Sequence, residues 1–229
     1  MSIKKICTLL MSVFYCILIN SLYHISDLSV LYKGVNLENN IMLLLAQFLS
    51  FASITFYVFG EAEKYINGYG KYVLVRRKKR TAILNKIYAE NFLAAIVFEI
   101  IKIVIYIVVS SMDKTDFSSF VIMLVLSILT NLLLISVQIL IEILFNSKIA
   151  LIVAMAYFII SCTVGGVIIK EKLYAPLLIL IPNYSMSYRT EYFISELNLN
   201  YLSMNVILIT VIIGFVFTGK MILKRKDIF

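Results

Sequence analysis

Histidine is nearly absent from this chain of 229 residues: His24 is the one copy, and with it go no tryptophan, two prolines and three cysteines. A single histidine excludes a His-Glu-x-x-His zinc helix and any paired-histidine site. Cys7 and Cys16 fall in the first apolar run and Cys162 in the fifth, without the spacing of metal ligands or of a disulfide framework, and all three read as buried free thiols. His24, at the outer end of the first apolar run, reads as a polar end-cap. Charge is scarce too, at 15% of residues against 62% hydrophobic, with a mean hydropathy of +0.96. A soluble domain could not hide that much apolar surface from water. Lipid is the expected solvent, and at about 20 residues per crossing the chain fills roughly six spans, with no room for a soluble enzyme domain.

What is present are six apolar runs, at 6–23, 41–59, 92–111, 117–145, 149–169 and 201–219, each long enough to satisfy its backbone as a helix across a bilayer. The fold class expected is therefore an all-α integral membrane protein, one transmembrane domain over 1–229. The fourth run is too long for an upright span and should tilt, kink or protrude, with Asn131 a natural place for a distortion. Lys4 and Lys5 ahead of the first run suit a cleaved signal segment, but no small-residue cleavage site follows Ile19, so a retained helix is expected.

Orientation follows from the basic residues. With the N-terminus inside, fifteen of the 21 Lys and Arg fall on the cytoplasmic side and five outside, while Lys102 lies within the third span. That bias supports both termini in the cytoplasm. The net charge of +8 is thus a topology signal, and nucleic acid is not an expected partner.

Two connections are more than turns. The cytoplasmic loop 60–91 carries GEAEKYINGYG, then KYVLVRRKKR, then TAILNKIYAEN. Gly68 and Gly70, around Tyr69, permit a tight turn. From Thr81 to Asn91 the residues Ile83, Leu84, Ile87 and Tyr88 share one helical face, with Asn85, Lys86 and Glu90 elsewhere, an amphipathic helix leading into the third span. Juxtamembrane cations such as Arg76 to Arg80 orient a chain and attract anionic lipid. The flanking turn and amphipathic helix, which anchoring does not need, fit a docking surface for a cytoplasmic protein. The outer segment 170–200 has an apolar stretch between Pro176 and Pro182. Even extended back to Leu173, the nine residues from Leu173 to Ile181 would reach only about 14 Å as a helix, so a re-entrant or interfacial hairpin is expected. Tyr184, Tyr188 and Tyr192, interleaved with Arg189, Glu191 and Glu196, then suit a short helix at headgroup level.

Gly214 to Met221, GFVFTGKM, has the spacing of a phosphate loop, but Met221 replaces the magnesium-binding hydroxyl and the glycines lie inside an apolar run. Lys220 reads as a snorkelling cation, and the chain is expected to carry no nucleotide site or enzyme activity of its own, and no metal. The intramembrane polar residues are more informative. Glu99 and Lys102, at i and i+3, share a helical face where opposite charges offset each other's dehydration, and Glu142 lies one turn beyond Gln138 in the fourth span. With Asn131 they are candidates for a translocation pathway, a paired structural role weighing equally.

This layout resembles the membrane subunits of type 2 ATP-binding cassette transporters, in particular the small permeases that export lantibiotics and bacteriocins. The resemblance covers the whole chain and rests on the six spans, the basic loop after the second with GYGKYVLVRRKKR, the outer hairpin between the fifth and sixth and the tail KRKDIF. It implies a coupling helix within residues 68–90, drawing on Gly68, Tyr69, Gly70, Lys71, Arg76, Arg77, Arg80, Asn85 and Lys86, which docks on a separate ATPase holding the ATP and magnesium. It also implies a second permease subunit and export of a peptide or other amphipathic substrate from a bacterial cell membrane. The interfacial N-terminal helix of larger relatives is nearly missing, which leaves open pairing with itself or with a different subunit. Alternatives are the substrate-binding membrane subunit of a vitamin importer and a bacteriocin immunity protein without transport.

Overall fold

The computed structural model describes residues 3–23, 27–35, 40–66, 80–110, 117–173 and 175–225. Among them every regular element is helical: α1 (Ile3–Tyr23), α2 (Ile41–Val58), α3 (Glu61–Ile66), α4 (Arg80–Val109), α5 (Phe117–Leu144), α6 (Ser147–Lys170), α7 (Ser187–Leu197) and α8 (Tyr201–Arg225), with short 3-10 turns at Leu28–Tyr32, Ala175–Ile179 and Ile181–Ser185. Six of these helices are long and apolar enough to cross a membrane, which is the make-up of a multi-pass membrane protein.

Asparagine opens three of the six. Asn40 Oδ1 accepts the Met42 amide at 2.9 Å, Asn146 Oδ1 that of Ile149 at 2.8 Å, and Asn200 Oδ1 that of Ser203 at 2.8 Å. Each supplies an acceptor to a helix start that has no backbone partner. The chain leaves α2 through Gly60 at φ 76°, α6 through Lys172 at φ 56° and α7 through Asn198 at φ 50°, left-handed residues that end a helix by turning it aside.

Helix α5 occupies the centre. It packs against α2, α4, α6 and α8, and α1 pairs with α2 and α4 at one side. At one end of the bundle, rich in lysine, Lys4 Nζ donates to the Phe59 carbonyl and pairs with Glu61 at 3.6 Å, beneath the first turns of α4. At the other end residues 27–35 fold back into the bundle, burying Val30, Leu31, Tyr32 and Val35. Gly34 makes this possible: its φ is 75°, and a Cβ there would stand 2.4 Å from Met186.

Four expectations are refined. The amphipathic segment 81–91 buries Ile83, Leu84, Ile87 and Tyr88 and exposes Asn85, Lys86 and Glu90 as expected, but it forms one unbroken helix with the third span, 30 residues and about 45 Å long. Helix α5 runs unbroken through Asn131, so the distortion expected there is absent; its length is used to reach α3 instead. Cys7 is exposed on the apolar surface, whereas Cys16 and Cys162 are buried. Arg189, expected at a headgroup surface, is fully buried, because α7 turns it under the 3-10 turns toward α6.

Candidate functional site

The expected pair of charges meets in the bundle interior. On α4, Lys102 Nζ lies 2.9 Å from Glu99 Oε2, and the two side chains are 3% and 0% exposed. A carboxylate stripped of water needs donors for its lone pairs, and four arrive from three elements. Besides Lys102, Tyr32 donates to Oε2 at 3.1 Å from the first 3-10 turn, and Ser127 and Asn131 on α5 donate to Oε1 at 3.2 and 2.7 Å.

The ammonium is served from the other side. Lys102 Nζ donates to Ser50 Oγ on α2 at 3.3 Å and stands 5.4 Å from the ring centres of Tyr15 and Phe98 and 5.6 Å from that of Tyr32. Each is within cation–π range, an attraction strengthened by the loss of water. Tyr15, on α1, donates to the Leu31 carbonyl at 2.5 Å and accepts from Gln47 at 3.3 Å. Beside the pair, Gln47, Ser50, Thr130 and Asn131 line a cavity of about 20 Å³, the size of one water molecule. The buried Thr130 hydroxyl has no protein partner and lines that space. The cluster joins α1, α2, α4, α5 and the folded-back 27–35 segment through one ion pair.

Gln138 and Glu142 are not part of it. Glu142, 1% exposed, accepts the backbone amides of Gly60 at 2.8 Å and Ala62 at 3.1 Å, so its carboxylate sits at the start of α3. Glu63 on α3 in turn accepts the Ser147 amide at 2.8 Å, at the start of α6. Negative charge at a helix start meets unpaired N–H groups and the positive end of the dipole. Gln138 donates to the Thr55 carbonyl at 3.1 Å near the end of α2. These contacts make Glu142 the seat of α3, with Gln138 one turn away holding the end of α2.

A third polar centre lies under α7. Arg189 donates to the Cys162 carbonyl at 2.7 Å and to Asn183 Oδ1, while Asn183 donates to the carbonyls of Ser161 at 3.1 Å and Leu180 at 2.9 Å. Burial lowers the guanidinium's pKa from its ordinary value and pushes the neighbouring Tyr184 hydroxyl up to about 12. Gly165 admits this pair, since a Cβ there would lie 2.8 Å from Asn183 Oδ1 and 3.0 Å from the guanidinium.

Of the expected coupling residues, Gly68, Tyr69, Gly70, Lys71, Arg76 and Arg77 lie outside the described residues, as does His24; Arg80 opens α4, and Asn85 and Lys86 are exposed on it. Gly214 and Gly219 both lie within the continuous helix α8, and Gly219 gives Tyr88 its place, a Cβ there standing 2.7 Å from the Tyr88 hydroxyl. No group of three or more His, Cys, Asp or Glu that could hold a metal occurs among the described residues. Sequence reasoning missed Tyr15, Tyr32, Ser50, Ser127 and Arg189. Ser127 and Asn131, at i and i+4 in an apolar run, were a legible signal; nothing local marks Tyr32 as folding inward.

No curated protein and no solved structure matches the chain. One protein family does, over residues 6–229, and the chain belongs to it: the family described as "Protein of unknown function (DUF2705)".

Proposed function

We propose that this protein is the permease subunit of an ATP-binding cassette exporter, moving a peptide or other amphipathic substrate out of a bacterial cell. A separate ATPase supplies the energy with its own ATP and magnesium, and a second permease completes the pathway. In this reading both termini and the loop 60–91 face the cytoplasm, the loop contains the coupling helix, and residues 170–200 form a re-entrant or interfacial hairpin outside.

The observation that carries it is helix α4. One rigid rod begins at the basic end with exposed Asn85 and Lys86 and reaches Glu99 and Lys102 in the interior. A force applied beside Arg80 is thereby delivered to the ion pair that joins α1, α2 and α5. Helix α3, seated by Glu142 and seating α6 through Glu63, adds a second stiff link between the loop and the bundle. Exchange between two states needs such elements, with different contacts in each state. The small volume of the cavity beside the pair favours a substrate path at the boundary between two subunits.

The test is co-purification from the native host. Wild-type protein should bring an ATPase with it, and Arg76→Glu together with Arg77→Glu should abolish that association while leaving the yield of folded protein unchanged. Persistent association would move the docking surface elsewhere. Recovery of the intact chain with no ATPase at all would favour the non-transporting immunity reading.

A further inference from the structure

In the half of the bundle nearest the lysine-rich end, a groove of about 260 Å³ runs between α1, α2 and α4. Ser12, Ile54 and Phe98 are buried at its floor, and Leu9 and Val97 form exposed lips. Its wall is less polar than its residues suggest. Thr8 and Ser12 direct their hydroxyls onto the carbonyls of Lys4 and Thr8 on their own helix, at 2.8 Å each, leaving carbon to face the groove.

At Tyr57 the groove meets a second cavity of about 450 Å³, whose lining includes Lys4, Lys64, Glu61 and Glu90. The two ammonium groups converge on Glu61, at 3.6 and 2.6 Å, while Glu90 pairs with Lys86 at 3.7 Å. An apolar channel thus opens into a chamber holding both signs of charge. From Glu90 to Ile101 along α4 the two together span about 16 Å at 1.5 Å per residue, close to the half-thickness of a hydrocarbon core of about 30 Å.

We infer that this groove binds a zwitterionic phospholipid of the adjacent leaflet. One acyl chain lies along Ser12, Ile54 and Phe98, the phosphate meets Lys4 and Lys64, and the amine turns toward Glu90. Charge complementarity selects this occupant: Lys4 and Lys64 bring two positive charges to the single carboxylate of Glu61, leaving one for a phosphate, and Glu90 offers its carboxylate to an amine, so a headgroup of one sign matches only one side of the chamber. The site requires neither an ATPase nor a second permease, so it goes beyond the exporter reading and can fail independently of it.

The test uses the full chain in phosphatidylglycerol nanodiscs doped with phosphatidylethanolamine bearing a diazirine on its acyl tail. Photo-adducts should concentrate on peptides containing Ser12, Ala94 and Phe98, about tenfold over those of the exposed α8 face, and Ala94→Phe, which fills the groove, should lower them by about the same factor. Lys64→Gln, at an exposed position, should weaken labelling in a chain whose folding is not at risk. Equal adducts on the groove and on α8, labelling unchanged by both variants, or equal capture of a diazirine-tailed phosphatidylglycerol probe would overturn the proposal.

Discussion

Lys102 places its ammonium against one carboxylate, one hydroxyl and three rings. Losing either partner of a buried pair strands the other charge, and the expected loss for Lys102→Met is about 3 kcal/mol. Glu99→Gln with Lys102→Met should lose clearly less than the two single losses added, because neither charge is left unpaired. Thermal unfolding of the detergent-solubilised variants reads this directly, and additive losses would mean the pair is not coupled. Gly34 is the other residue with a sharp expectation. Gly34→Ala combines a left-handed φ of 75° with a 2.4 Å approach to Met186, and should lose about 2 kcal/mol in the same assay. The pairing of Glu99 with Lys102 was legible as i and i+3 on a helix. The aromatic box was not, because Tyr15 and Tyr32 come from distant positions and are gathered only when 27–35 folds inward.

At the scale of elements, the amphipathic start of α4 was readable because its buried positions repeat with the helical period. Its continuity with the third span was obscured by the polar side chains of Asn85, Lys86 and Glu90, which are compatible with a helix that extends beyond lipid. The role of Glu142 was hidden for a different reason: its partners are backbone amides of Gly60 and Ala62, which no side-chain pattern records. Glu142→Leu removes those acceptors at little cost in volume. Hydrogen exchange at Gly60 and Ala62 should accelerate by about tenfold, equivalent to about 1.4 kcal/mol, while the middle of α2 keeps its protection. Unchanged exchange at both amides would remove Glu142 as the seat of α3.

For the whole molecule, the proposed orientation predicts that Lys78→Cys, in a chain with its three native cysteines replaced, is reached by an impermeant maleimide only after the membrane is opened. A cysteine at Lys172 should be labelled in intact cells. The reverse pattern would invert the bundle and remove the ATPase-docking argument. The arrangement of helices supplies a reason for the burial of the polar groups. With no water in a bilayer core, a buried polar group draws its partners from the protein; Glu99 meets Asn131 in one cluster, and Asn183 meets Arg189 in another beneath α7.

The sequence alone determined six apolar helices and the charge asymmetry at their ends, because run length and composition act locally along the chain. Only the tertiary structure decided that 27–35 and Arg189 turn inward, that α5 sits at the centre, and that an open groove ends in a chamber of lysines and glutamates. These depend on residues far apart in sequence, and on glycines at 34, 165 and 219 whose value lies in what approaches them.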